Sequence, residues 1–254
     1  MSAHHTLPRL YLFPDTAFAP DVTLPMTPDQ ARYLGLVLRR GEGDGVRVFN
    51  ERDGEWLARI VSVRKDKGQI GLTECLRAPH PERGGVLAFA LLKRDATDLV
   101  IRMGTELGVT RFVPLITERT VGQRVNEDRL ESIAMEATEQ CERLAVPVIE
   151  TPQRLTEFLG AWPAGNRLFM AVERLAEMNE SQKTAESRSS GTFAGAQVGD
   201  GLLIGPEGGF SRAELDVTLA RPFVTPITLG NRVLRAETAV AAGLALFDSQ
   251  LRNV

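Results

Sequence analysis

The stretch Leu202-Leu-Ile-Gly-Pro-Glu-Gly-Gly-Phe-Ser211, followed by a second glycine-punctuated loop at Leu229-Gly-Asn-Arg-Val-Leu-Arg-Ala-Glu-Thr-Ala239, decides how this chain is read. Each segment starts on a short apolar run and opens into a helix-like run. Leu202–Ile204 has the apolar continuity of a buried strand. Gly205, Gly208 and Gly209 leave the backbone bare, so a ligand can approach main-chain N–H and C=O groups closely. Pro206 fixes the bend. Ser211, with Glu214 three residues on, makes a capping box at a helix start. By itself such a turn also fits a strand-to-helix connection that binds nothing.

The second loop adds weight. Gly230 opens another tight turn, and Val233 and Leu234 are apolar where a loop is ordinarily polar. Apolar loop residues beside glycine can wall a site for a flat heterocycle. Arg232 and Arg235 flank them and suit an anion or an RNA phosphate. Glu237 then sits near a helix start, where a carboxylate is favoured by the dipole, a role that can be purely structural. Two such loops at one end of a sheet could share one ligand.

Working outward, residues 86–254 alternate strand-like and helix-like segments. Val86–Leu92, Arg111–Thr117, Pro147–Glu150, Leu168–Val172, Leu202–Ile204 and Ile227–Leu229 read as strands. Ala96–Leu107 has helical spacing, with Gly108 as its C-cap. Asn126–Leu144 reads as one amphipathic helix, with Leu130, Ile133, Ala134, Ala137, Cys141 and Leu144 on one side. This alternation implies an α/β domain with a mainly parallel sheet and helices on both faces. Thr238–Leu251 is apolar around most of its circumference, so it must be covered on several sides by a core or a subunit interface. Residues 176–200 are rich in Ser, Ala, Gly and Glu and read as a flexible surface insertion.

Residues 1–77 read differently. Val46–Phe49, Glu55–Val63 and Gln69–Thr73 are strands, with Asn50–Gly54 as a hairpin loop. Pro28–Leu38 reads as one helix with Thr27 as N-cap. Short strands with one helix suggest a small β-barrel. The Pro- and Gly-rich residues 78–85 form a linker to the second domain.

Composition excludes several classes. The chain has 254 residues, which allows one or two domains, and its 43% hydrophobic and 25% charged content is that of a globular protein. No run approaches the roughly 20 apolar residues of a membrane span, and the N-terminus lacks the pattern of a signal peptide, so a cytoplasmic location is expected. Cys75 and Cys141 form no CxxC pair, and His4, His5 and His80 show no metal-ligand spacing, so no metal is expected. The net charge of −3 points to no general nucleic-acid affinity, so any RNA contact must come from a local patch. No GxGxxG follows a strand, and no GxxxxGK[ST] or GxSxG occurs.

The paired runs LLIGPEGGFSRAE and LGNRVLRAETA resemble the C-terminal signature of the ribosomal RNA small-subunit methyltransferase E family, of the SPOUT class of knotted methyltransferases. Thr105–Val109, Val113–Arg119 and Glu136–Arg143 resemble further blocks of that family. Arg9, Phe13, Val37–Arg39, Gly43-Asp44 and Val46–Phe49 resemble its N-terminal PUA-like barrel. Ile101–Thr105 and Arg32 depart from the family pattern, so individual RNA contacts are not inherited. The resemblance implies a C-terminal SPOUT trefoil-knotted parallel-sheet domain (86–254) behind a PUA-like β-barrel (1–77). It further implies S-adenosylmethionine as cofactor, a homodimer through the knotted domain, and methylation of uridine N3 in 16S ribosomal RNA, free or in the assembled small subunit.

Carried onto this chain, the resemblance assigns the cofactor to Met170 and Val172, to Ile204, Gly205, Pro206 and Gly208, and to Leu229, Gly230, Arg232, Val233 and Leu234. Arg9, Arg39 and Arg143 are the expected RNA contacts. Arg235 is the expected stabiliser of charge on the uridine. Glu207 is the candidate proton acceptor, a role that needs burial, with bracing of the loop as the alternative. A non-catalytic RNA-binding protein and a methyltransferase acting on transfer RNA are the rival readings.

Overall fold

A computed structural model describes residues 4–120, 125–172 and 193–251. The chain divides into two compact units, Met1–Glu82 with Thr138–Val146, and Arg83–Ala137 with Pro147–Val254.

The N-terminal unit is built on a five-stranded sheet with strand order β1-β3-β4-β5-β2. Its strands are β1 (Arg9–Tyr11), β2 (Thr23–Pro25), β3 (Gly45–Asn50), β4 (Gly54–Arg64) and β5 (Lys67–Arg77). β1 and β3 are parallel and the other pairings antiparallel. The alternation Val46, Val48 in β3 and Ala58, Ile60 in β4 puts one apolar face inward, where it meets Leu10, Leu24, Ile70 and Leu72. The Asn50–Gly54 hairpin forms as expected, closed by the Asp53 N–H donating to Asn50 Oδ1 at 2.6 Å. α1 (Pro28–Arg32) starts at Thr27 with a full capping box and Pro28 in its first turn. It continues as a π-helical turn over Tyr33–Val37, so the single helix expected over 28–38 changes pitch half-way. β1 and β2 went unread because three residues are too few to show a period.

The C-terminal unit holds a seven-stranded, wholly parallel sheet of order β12-β10-β11-β6-β7-β8, with β9 also on β7. The strands are β6 (Val86–Ala90), β7 (Arg111–Ile116), β8 (Val148–Ile149), β9 (Gln153–Arg154), β10 (Leu168–Ala171), β11 (Gly201–Ile204) and β12 (Val224–Ile227). Every residue of β6 and β11 is buried, as strands covered on both faces must be. α4 (Leu155–Ala161) and α5 (Arg212–Leu219) cover the face made by Val86, Ala88, Val113, Leu115, Leu168, Met170 and Leu203. α2 (Arg94–Glu106) and α6 (Ala236–Leu251) pack together on the other face, where Gly104 lies against Phe112 and Gly243 against Leu202.

Three expectations need correction. The last strand runs over Val224–Ile227, not Ile227–Leu229. It contains Pro226, but among the described residues β12 is at the sheet edge and pairs only with β10, where a missing N–H is tolerated. α3 (Glu127–Gln140) stops short of the expected Leu144: Glu142 takes a left-handed φ of 63°, which ends the helix. The described part of the expected insertion, residues 193–200, is packed, with Phe193 against Phe169 and Phe247 at ring-centroid distances of 5.1 and 5.3 Å. Asp200 Oδ1 accepts from the Arg167 N–H at 2.7 Å and Oδ2 from the Gln197 N–H at 3.0 Å. The rest of that insertion, 176–192, lies outside the described residues. Among the described residues, no helix is long and apolar enough to cross a membrane.

Candidate active site

In the C-terminal unit, β12, β10 and β11 are adjacent and parallel, so the segments that follow them gather at one edge of the sheet. Ligand sites of open α/β sheets lie at this carboxyl edge. A cavity of about 510 Å³ opens there. Ala171 and Val172 enter it from β10, Ile204–Phe210 from the end of β11, and Leu229, Gly230, Arg232 and Leu234 from the loop after β12. α5 adds Arg212, Leu215 and Leu219, α6 adds Ala236 and Ala239, and the loop after β7 adds Arg119.

Local chemistry fixes each wall. In the first loop the Gly209 N–H donates to the Pro206 carbonyl at 2.8 Å, and Gly209 has φ +69°, a turn that a side chain would strain. The Ser211–Glu214 capping box then starts α5, with the Glu214 N–H donating to Ser211 Oγ at 3.2 Å and the Ser211 N–H to Glu214 Oε2 at 2.9 Å. In the second loop Thr228 Oγ1 accepts from the Gly230 N–H at 3.3 Å and donates to the Gly230 carbonyl at 3.1 Å, turning the chain where Gly230 has φ +121°. The wall is apolar at Val172, Ile204, Phe210, Leu215, Leu219, Leu229 and Leu234, and cationic at Arg119, Arg212 and Arg232. Such a site suits a ligand with one flat apolar part and one charged or polar part. Among the described residues, no three His, Cys, Asp or Glu side chains group to hold a metal ion.

A family described as RNA methyltransferase domain matches residues 81–248, and one described as RNA methyltransferase PUA domain matches residues 27–73. Ribosomal RNA small subunit methyltransferase E of Rickettsia conorii is 36% identical over 213 residues, covering 84% of this chain and 84% of that one. The chain belongs to the ribosomal RNA small subunit methyltransferase E family. The family's Synechocystis member is 32% identical over 257 residues, covering 96% of this chain and 78% of its own. A Legionella pneumophila protein solved in complex with its bound cofactor SAM is 27% identical, with a TM-score of 0.80 over 96% of this chain and 97% of that one.

Of the cofactor residues expected by resemblance to this family, the structure brings Val172, Ile204, Gly205, Pro206, Gly208, Leu229, Gly230, Arg232 and Leu234 to the cavity. Met170 is not in the lining: it is fully buried in the core. Val233 is not in the lining either and is 61% exposed. Glu207 lines the cavity but is exposed, so the burial that a proton-accepting role asks for is absent in the single chain. Arg235 is exposed outside the lining, at the N-terminal end of α6, where its carbonyl accepts from the Ala239 N–H at 2.8 Å.

The expected RNA contacts, all in the N-terminal unit, divide sharply. Arg9 has a side chain only 3% exposed, with Nε donating to Glu55 Oε1 at 2.6 Å. Its Nη1 donates to the Thr138 and Glu139 carbonyls at 2.8 and 3.2 Å, and its Nη2 to the Arg143 carbonyl at 2.5 Å. Thr138 and Glu139 lie in the last turn of α3 and Arg143 just beyond it, so Arg9 caps that end from another part of the chain. The Arg143 side chain is 10% exposed and faces Glu82 at 3.4 Å. Arg9 and Arg143 are therefore engaged inside the unit and are not free for RNA. Arg39 is exposed, with a left-handed φ of 53°.

Arg119, Phe210 and α5 are cavity residues that sequence reading missed. For Arg119 the available signal was its place just past the carboxyl end of a parallel strand, where α/β sites gather.

Proposed function

We propose that this chain transfers the methyl group of S-adenosylmethionine to N3 of a uridine in 16S ribosomal RNA. The observation that carries the reading is the cavity at the carboxyl edge of β10, β11 and β12, walled by both glycine loops, in a chain of this family. In this reading the apolar wall at Ile204, Leu229 and Leu234 takes the adenine. Main-chain groups of Gly205, Pro206, Gly208 and Gly230 serve its polar edges, and Val172 and Arg232 complete the site.

The sulfonium methyl of the cofactor is already electrophilic, so the protein's task lies on the uridine side. The base must leave its pairing partner to expose N3, and N3 must lose a proton as it attacks. The charge then spreads onto O2 and O4. Arg235 is the proposed stabiliser of that charge, because a guanidinium donates hydrogen bonds and stays protonated. Glu207, in the cavity wall, is the proposed acceptor, with bound RNA supplying the burial that the free chain lacks. Arg39 is the proposed phosphate contact of the N-terminal unit. The reading includes a trefoil knot in residues 86–254, a homodimer through that part, and a cytoplasmic reaction.

The test is to incubate the chain and labelled S-adenosylmethionine with free 16S RNA, assembled small subunits and transfer RNA, and to map the product by mass spectrometry. N3-methyluridine in 16S RNA is the expected product. Label only in transfer RNA, or on another atom, overturns the assignment.

A further inference from the structure

The loop after β7 carries a cation whose surroundings are built with unusual care. Residues 117–120 form a closed turn: the Thr117 N–H donates to Thr120 Oγ1 at 2.9 Å, and the Thr120 N–H to the Thr117 carbonyl at 3.2 Å. Within that turn the Glu118 N–H donates to Glu214 Oε1 at 2.8 Å. The Glu214 carboxylate thus spans two segments far apart in sequence, since its other oxygen accepts from Ser211 at 2.9 Å in the first glycine loop. Beside this latch, Arg119 lines the cavity and its Nη1 donates to the Gly208 carbonyl at 2.7 Å. Turn, carboxylate bridge and guanidinium bond together hold one cation against the cavity wall.

Among the described residues that cation is not neutralised. A guanidinium offers five N–H donors, and the Gly208 bond takes one. No other hydrogen bond or ion pair joins the Arg119 side chain to a described residue, and the side chain is exposed. Arg212, in the same wall, differs: its Nε faces Asp216 at 3.4 Å. Glu207 also lines the cavity but forms no ion pair with Arg119 among the described residues. A positioned cation with donors to spare, at the edge of a partly apolar cavity, is complementary to an oxyanion.

We infer that Arg119 is the oxyanion contact of the cavity, with Glu214 as the residue that positions it. This rests on the proposed methyl transfer, whose two substrates each carry such a group: the carboxylate at the amino-acid end of the cofactor, and the RNA phosphate. The fork of the guanidinium receives two oxygens of either one, and the latch fixes where that fork stands relative to the first glycine loop.

The test uses Arg119→Ala, Glu214→Ala and the double variant of the full chain. Calorimetry measures affinity for S-adenosylmethionine and for its decarboxylated form, and KM for 16S RNA is measured across salt concentrations. A cofactor carboxylate predicts that Arg119→Ala binds S-adenosylmethionine roughly tenfold or more weakly while binding of the decarboxylated probe is unchanged. An RNA phosphate predicts unchanged cofactor affinity, a raised KM for RNA and a salt slope smaller by about one. Either result supports the inference. Glu214→Ala should give part of the same defect and add nothing to Arg119→Ala, whereas fully additive effects remove Glu214 from the positioning role. Unchanged cofactor affinity, RNA KM and salt slope in Arg119→Ala overturn the inference. If that variant melts early, Arg119→Gln, which keeps a donor for the Gly208 carbonyl, is judged by the same readouts. Wild-type chain that binds no S-adenosylmethionine overturns the functional reading itself, and is seen before any variant is made.

Discussion

Arg9 Nε and Glu55 Oε1 meet at 2.6 Å with side chains only 3% and 7% exposed, so the N-terminal unit keeps an ion pair in its interior. Glu55 also faces Arg47 and Arg77, each at 3.3 Å, and Arg9 lies over the Phe49 ring at 3.5 Å from its centroid. Burial holds the Arg9 pKa below its ordinary value, and hydrogen bonding to Glu55 acts against that shift. Removing one partner of a buried pair costs about 3–5 kcal/mol where the other charge is left uncompensated, but Arg47 and Arg77 would still face Glu55, which lowers that cost. Arg9→Ala should still lose about 2–3 kcal/mol in urea denaturation, since the hydrogen bonds from Arg9 to three carbonyls at and just past the end of α3 go as well. Arg39→Ala, at an exposed position, should stay within about 0.5 kcal/mol of wild type while weakening RNA binding. A stable Arg9→Ala with weakened RNA binding would return Arg9 to the RNA surface.

The same cluster gives a pH dependence. A hydrogen bond from Arg47, at 2.9 Å, holds the Glu142 carboxyl below the usual carboxylate range, and the charges of Arg47, His5 and Arg9 act in the same direction despite partial desolvation. A carboxyl whose pKa is lower folded than unfolded adds stability that is present above its unfolded pKa and lost as pH falls through its folded pKa. Glu142→Gln should thus be less stable than wild type near neutrality, with the gap closing on the acid side, below about pH 4. The Glu142 side chain is 42% exposed, so the gap should be small and should shrink with salt. Urea titrations of both proteins across pH give the answer, and a gap that widens in acid contradicts it.

The features legible in the sequence share one cause: they are local. Val86–Ala90 and Leu202–Ile204 read as buried strands because each is continuously apolar, and the Thr27 and Ser211 capping boxes because the partners lie three residues apart. That two glycine loops share a cavity was suggested by their likeness, but β10 standing between β11 and β12 is a matter of strand order that no spacing encodes. Arg9 misled for the same reason. Whether an arginine faces RNA or caps a helix end depends on Thr138 and Glu139, which lie more than a hundred residues away.

Packing in the C-terminal unit separates two glycines. A Cβ on Gly104 in α2 would lie 2.5 Å from Phe112 Cε1, and the Phe112 ring is fully buried. Gly160 in α4 is exposed and has nothing within 4 Å of such a Cβ. Alanine gains about 1 kcal/mol of helix propensity at either position. At Gly104 overpacking, about 1–3 kcal/mol, should outweigh that gain, so Gly104→Ala should melt lower and Gly160→Ala slightly higher. The reverse order in a thermal melt would mean that Phe112 repacks freely.

Only one face of α6 is buried, through Ala236, Val240, Gly243, Leu244, Phe247 and Leu251. Thr238, Ala245 and Ser249 remain exposed beside Leu246, which is 52% exposed. The proposed homodimer would cover that face, so Leu246→Glu should shift sedimentation from dimer to monomer while leaving the fold intact by circular dichroism. A wild-type chain that sediments as a monomer rejects the dimer outright.

Arg235 offers the sharpest test of the chemistry, because its position separates function from folding. It stands at the N-terminal end of α6, where the helix dipole disfavours a cation by about 0.3–1 kcal/mol, and Glu237 in the first turn offsets this. Its side chain forms no hydrogen bond or ion pair with a described residue, so the fold does not depend on it. Arg235→Ala should leave melting unchanged or slightly raised. Because Arg235 lies outside the cavity lining, the variant should also bind S-adenosylmethionine as wild type does. Methyl transfer should fall by roughly 100-fold or more if the guanidinium meets the developing charge on O2 or O4. Arg232→Ala, within the lining, should instead weaken cofactor binding. Loss of cofactor affinity in Arg235→Ala to match its loss of rate would move Arg235 from the uridine to the cofactor.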